Sequence, residues 1–357
     1  MKKKFRAAGK TARSNFLTFG IVVAAYIIIM ALQSGGMISS AMSGLMVPIC
    51  AYIVMAVSLN LTVGIMGNLS LGHAGFMSVG AFVGVITAMS LQASIPSGPL
   101  RLALSMAVGG LCAGIVSLIV VIPVLRLQGD YLAIVTLAFG EIIKNIVNCL
   151  YVGLDKNGLH FTMKNAMALN LDAATGKKIM QGPMGAVGIT KLSSLTAGFI
   201  LIILSLIVVL NLINSRAGRA IMSLRDNRIA AESIGISPAR YKIMAFVTSA
   251  VLAGMAGTLY AMNFSSILAK KFDFNTSILV LVFVVLGGMG NIRGSIIAAA
   301  VLTVLPEMLR QFADYRMLIY AIVLILVMLI TNNPRTKQLL AKIRSPKSGK
   351  EETEHVL

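Results

Sequence analysis

Ten stretches of the chain are almost wholly apolar: residues 16–33, 41–63, 74–93, 100–125, 131–151, 193–213, 244–262, 277–290, 295–309 and 316–331. Polar and charged residues gather between them. Runs such as 200–210 are continuously apolar and lack the every-second-residue alternation of a membrane-barrel strand. Backbone groups in lipid must be satisfied internally, so continuous apolar runs near the ~20-residue spanning length read as helices. The pattern predicts an all-α polytopic membrane protein of about ten transmembrane helices, with broken or short helices among them.

Composition agrees. Of 357 residues, 57% are hydrophobic and 12% charged, with a mean hydropathy of +0.88. A soluble domain carries about 25% charged residues, so a water-facing globule, a disordered chain and a disulfide scaffold are all excluded. The formal net charge is +19. Aromatic residues do not interleave with the basic ones, which argues against nucleic acid. The charge lies in three places instead. Lys2, Lys3, Lys4, Arg6, Lys10 and Arg13 form a basic tail over 1–15. Arg216, Arg219, Arg225, Arg228, Arg240 and Lys242 lie in the 214–243 loop, and Arg335, Lys337, Lys342, Arg344, Lys347 and Lys350 in a tail over 332–357. With ten spans all three segments share one face. The positive-inside rule makes that face, and both termini, cytoplasmic, and membrane lipid a partner of the basic residues. The first apolar run outlasts most signal-peptide cores and lacks a convincing cleavage site, so it reads as an uncleaved helix.

The remaining features are local. Cys50, Cys112 and Cys149 sit in apolar segments with no paired spacing, as small hydrophobes do. The 153–192 stretch is the longest outer loop, and reads either as a small extracytoplasmic subdomain or as a plain linker. In the seventh span Ser249, Ala253, Gly257 and Ala261 form one row of small residues, and Ala250 with Gly254 another, the spacing that lets helix backbones approach.

Two glycine-rich breaks carry the same G-x-M-G-N pattern. The first, Gly64–Asn68, has Asn60, Asn68, Ser70 and His73 beside it, and the second runs over Gly287, Gly288, Met289, Gly290 and Asn291. Broken helices can mark a substrate path, and Gly with Asn equally favours tight cytoplasmic turns. Glu141 lies inside an apolar stretch, where an acid is functional or paired, and Lys144 stands three residues on at pairing distance. The candidate path residues are therefore Asn60, Asn68, Ser70, His73, Glu141, Gly287 and Gly288. Between 214 and 243, Ile221, Leu224, Ile229 and Ile234 give amphipathic spacing, which predicts a short helix ended by Gly235 and lying on headgroups or in a partner's groove. The sequence has no phosphate-binding loop, metal-ligand cluster or nucleophile elbow. No catalytic residue, metal or cofactor is expected, and ATP-driven transport would need another chain to hydrolyse the ATP.

In four stretches the chain resembles the permease subunit of branched-chain amino acid ABC importers. They are residues 64–81 (GIMGNLSLGHAGFMSVGA), 125–142 (LRLQGDYLAIVTLAFGEI), 218–261 (GRAIMSLRDNRIAAESIGISPARYKIMAFVTSAVLAGMAGTLYA) and 277–295 (SILVLVFVVLGGMGNIRGS). The resemblance implies a central path shared with a second homologous permease subunit. It also implies two cytoplasmic ABC ATPases and a periplasmic or lipid-anchored amino-acid-binding protein, at the bacterial inner membrane. It places an ATPase-coupling loop at Arg225, Asp226, Asn227, Ala230, Ala231, Glu232 and Gly235. Ala230, Ala231 and Gly235 match the family's EAA---G motif, while Ile229 stands where the motif has Glu. The segments at Gln181 and Asn333 also depart from the usual family pattern. A sister importer for urea or short amides shares much of this signature, and an ion-coupled secondary transporter is the more distant alternative. Such a transporter would carry acids in several helices.

Overall fold

The fold is described from a computed structural model, which covers residues 2–36, 39–124, 130–155, 158–165, 167–169 and 176–309, with short pieces between 315 and 325. The expected tenth apolar stretch, apart from those pieces, and the basic tail at 332–357 lie outside the described residues. Residues 1–304 form one compact unit, described below. Of residues 305–357, a separate unit, the end of the last helix and a few short pieces are described.

Helices coincide with the other nine apolar stretches. They are α1 (Lys2–Ser34), α2 (Ser40–Asn60), α3 (His73–Ser90), α4 (Gly98–Val124), α5 (Asp130–Cys149), α6 (Leu195–Asn214), α9 (Pro238–Ala261), α10 (Phe274–Gly287) and α11 (Ile292–Met308). Two short helices, α7 (Arg216–Asp226) and α8 (Arg228–Ser233), follow α6. Six segments among the described residues are long and apolar enough to cross a membrane: α2 with its π-helical extension to Ile65, then α3, α4, α5, α6 and α9. The expected count of ten is thus not reached by length alone. The break after Gly287 is one cause. At about 1.5 Å per residue the 14 residues of α10 reach about 21 Å, short of the ~30 Å hydrocarbon core. The helix α1 also extends back through the basic 1–15 segment to Lys2.

The centre of the fold is the trio α3, α4 and α9, and glycine explains why. A Cβ on Gly80 would fall on the Gly254 backbone, one on Gly254 on Ala113 and Gly109, and one on Gly257 on the backbone of Met77. The three backbones therefore touch. Thr258 Oγ1, on α9, donates to the Gly80 carbonyl of α3 at 2.7 Å. All six residues of the two small-residue rows are buried. Without a hydrophobic drive between helix and lipid, such close packing is what holds membrane helices together.

The 153–192 stretch is more than a plain linker. It builds an antiparallel sheet from β1 (Tyr151–Asp155), β2 (Gly158–Thr162), β3 (Lys177–Gln181) and β4 (Ala186–Val187), which β5 (Ser266–Ile267) completes in the order β2-β1-β3-β4-β5. Val152, Ile179 and Met180 bury their side chains beneath it. Since α6 runs from the sheet to α7, and α9 from just after α8 back to β5, the sheet and the α7–α8 pair lie at opposite ends of these helices.

A leucine at Gly254 should destabilise the fold by about 1–3 kcal/mol or more, because the surrounding backbone cannot retreat. Leucine at Gly20, where a Cβ meets nothing within 4 Å, should be neutral. Thermal unfolding of the two purified variants in detergent measures the difference.

Candidate functional site

At the end of the unit opposite the sheet, the two G-x-M-G-N segments meet. The first follows α2, whose helix loosens into a π-helical turn over Leu61–Ile65 before the chain reverses. The second links α10 to α11. Asn60 joins them. Its Nδ2 donates to Ser295 Oγ at 2.8 Å, and its Oδ1 accepts from the Gly290 backbone N–H, also at 2.8 Å. Asn60 is fully buried, so these bonds replace water that the site excludes. Gly64 sits against the joint, and a Cβ there would fall on the Asn60 side chain and the Gly290 backbone. Gly290, at φ +81°, adopts a left-handed conformation that only glycine takes without strain.

A third segment reaches this joint. Arg225, at the end of α7, donates from Nη1 to the Gly64 carbonyl at 3.1 Å, and its stem covers Gly67. Asp226 Oδ1 accepts from Arg225 Nε and Nη2 at 3.0 and 2.9 Å and fixes the guanidinium in that direction. A cleft of about 160 Å³ opens beside it, walled by Asn68, Arg225, Arg228, Tyr241 and Lys242.

The expected single amphipathic helix over this loop is two helices. Asn227 adopts an extended conformation and its side chain caps α8 by accepting from the Ala230 N–H at 3.1 Å, so the helix restarts in a new direction. Ile221 and Leu224 on α7 are buried, while Ile229 and Ile234 are 78% and 75% exposed. The four isoleucine and leucine positions thus face two ways. On α8, Ala231 points inward and Ala230 outward, and Arg228 Nε pairs with Glu232 Oε1 at 2.7 Å. Gly235 follows the helix at φ +84° with open space around it.

Of the other sequence candidates, Gly287 and Gly288 belong to the second of these segments, and the rest make contacts of their own. His73 is buried at the start of α3 with its Nε2 2.8 Å from Ser58 Oγ. Ser58 also donates to the Met55 carbonyl at 2.9 Å, and its own carbonyl accepts from Ser249 Oγ at 2.6 Å. The cluster ties α2, α3 and α9 together. The Ser70 hydroxyl is buried without a hydrogen-bond partner among the described residues. Glu141 and Lys144 pair on α5. Gly287 packs on the Gly294–Ser295 backbone, and Gly288 makes the turn with φ +91°. Sequence reading missed Ser295 and Ser58, the two hydroxyls that partner Asn60 and His73. A search for polar partners in the second repeat would have pointed to Ser295, because a buried amide needs both a donor and an acceptor.

Replacing Asn60 by Ala strands the Gly290 N–H and should cost about 1–3 kcal/mol. Asn68→Ala, at the half-exposed cleft wall, should fall within about 0.5 kcal/mol of the parent. Denaturant or thermal unfolding in detergent distinguishes them.

Comparisons with known proteins give the chain a family. Residues 41–328 match the family model described as branched-chain amino acid transport system / permease component. The chain is 34% identical over 294 residues to the high-affinity branched-chain amino acid transport system permease protein LivM of Escherichia coli strain K12, and equally to LivM of Salmonella typhimurium. Each alignment covers 78% of this chain and 66% of the relative, so the chain spans just under two thirds of their length. A fructose import permease protein, FruG of Bifidobacterium longum, is 27% identical over 104 residues, covering 28% of this chain and 31% of the relative. No solved structure matches. With the family model spanning most of a polytopic chain whose two glycine turns close on one joint, the protein belongs to the branched-chain amino acid transport system permease family.

Proposed function

We propose that this chain is the permease subunit of an ATP-driven importer of branched-chain amino acids in the bacterial inner membrane, working by alternating access. The observation that carries this reading is the α7–α8 pair. It presents two exposed isoleucines, Ile229 and Ile234, at the surface, and it is tied through Arg225 to the junction of two broken helices. An isoleucine left in water on a six-residue helix is explained by a partner's apolar groove. The arginine bond to Gly64 gives that partner a mechanical hold on the membrane helices.

In this reading α7–α8 docks one of the assembly's two ABC ATPases, and a second homologous permease chain completes the membrane part. The α7–α8 end and both termini are placed at the cytoplasmic face in this reading, a choice that the positive-inside rule supports. The sheet then lies outside, where a binding protein delivers substrate. The chain has no ATPase site of its own in this scheme, and ATP shifts the equilibrium by binding one arrangement of the assembly better than the other. Branched-chain substrates are favoured over amides or sugars by the 34% identity to LivM along most of the chain, against a short and weaker match to FruG. Apolar pockets separate Leu, Ile and Val by only about 1–3 kcal/mol per methylene, so finer selection falls to the binding protein. Among the path candidates, Asn60, His73, Gly287 and Gly288 serve as the joints about which the path opens, with Asn68 and Ser70 on the turn between α2 and α3.

Purification from native membranes should recover two ATPases and a second permease with this chain, and the assembly should take up labelled leucine. Recovery without any ATPase overturns the reading. Ile229→Ser with Ile234→Ser should lower ATPase recovery by about tenfold, the loss expected when an apolar anchor leaves an interface, with the unfolding temperature unchanged.

A further inference from the structure

Exposed faces of the membrane helices are of two kinds. On α4 the outward residues are Leu104, Val108, Leu111, Ile115, Ile119 and Ile122, and on α6 they include Ile200, Leu204 and Ile207. These faces suit lipid tails. The helix α5 differs. It is the least covered of the six spans, with 28% of its window buried. Yet Glu141, Lys144, Asn145 and Asn148 lie on one side of it at helical spacing. Asn145 is exposed, and the Glu141 and Lys144 side chains are 34% and 19% exposed. Glu141 lies near the middle of the Tyr131–Cys149 span. Ionised and amide groups at that depth face a protein interior or water, because hydrocarbon cannot solvate them.

The described residues cover this stripe only in part, leaving Lys144 mostly buried, Glu141 and Asn148 half-buried and Asn145 exposed. We propose that the Glu141–Asn148 stripe of α5 lines a water-filled substrate path and is a waypoint for a zwitterionic amino acid. This rests on the importer reading and adds to it the chemistry of the path. The stripe offers a carboxylate to an α-ammonium group, and an ammonium with two amides to an α-carboxylate. Ile142 and Ile146, both exposed beside it, offer an apolar surface to the substrate's side chain. Glu141 and Lys144 pair with each other, so each can exchange its partner for the opposite charge of the zwitterion without a bare charge being left in the membrane. The half of α5 beyond Glu141 leads to the sheet through Tyr151, which sets the stripe on the way from the sheet end.

The test uses the complete assembly with its ATPases in proteoliposomes. In a background with Cys50, Cys112 and Cys149 replaced, Asn145→Cys should react with a membrane-impermeant charged thiosulfonate, and saturating leucine with binding protein should slow the reaction. Ile115→Cys on α4 should stay unmodified. Reaction at Ile115 and not at Asn145, or at neither, overturns the proposal, because the stripe is then dry. A second arm separates a waypoint from a purely structural ion pair. Exchanging the charges, Glu141→Lys with Lys144→Glu, keeps the pair, and the assembled complex should be recovered at parental yield. Leucine KM should nevertheless rise at least about fivefold, as for loss of a substrate-binding contact. Parental KM in the exchanged variant overturns the waypoint. Failure of the parent assembly to take up leucine would count against the importer reading, while the labelling arm still decides whether this face is wet.

Discussion

A side-chain amide buried at the end of a membrane helix must find its donor and its acceptor inside the protein. Asn60 finds both on the other glycine turn, at Gly290 and Ser295. That requirement pins the end of α2 to the turn between α10 and α11, two segments some 230 residues apart in sequence. Much else follows from it. Gly64 must lack a side chain because the joint occupies the space, and the π-helical turn over Leu61–Ile65 brings its carbonyl to where Arg225 can reach it.

The same rule governs the rest of the interior. His73, Ser58 and Ser249 form one buried polar chain, and Thr258 reaches the Gly80 carbonyl. Each bond crosses between helices, so polar groups select which helices are neighbours while glycines set how close they come. The trio α3, α4 and α9 is consequently closely packed. The two ends of the unit carry the exposed chemistry: a sheet at one, and at the other a pair of short helices with basic and apolar residues in alternation.

Arg225 ties α7 to the first glycine turn through the Gly64 carbonyl. Asp226 aims the guanidinium, and Gly67 allows its stem to lie flat against the turn.

The apolar runs decided the type of most helices, since a backbone in hydrocarbon must satisfy itself and the runs lack the alternation of a barrel strand. The small-residue rows of α9 likewise announced its packing, and the paired G-x-M-G-N breaks announced two turns. Local sequence could not say that these turns touch, because the bonds from Asn60 span the length of the chain. Nor could it separate Ile221 and Leu224 from Ile229 and Ile234. All four fit one amphipathic period, and only the cap at Asn227 turns the second pair outward. The sheet escaped notice because its fifth strand, Ser266–Ile267, is two residues long and owes its conformation to pairing with β4. Composition and periodicity thus determined a helical membrane protein. Tertiary structure decided which polar groups meet, because a buried donor is satisfied by whatever acceptor the fold brings to it, however distant in the chain.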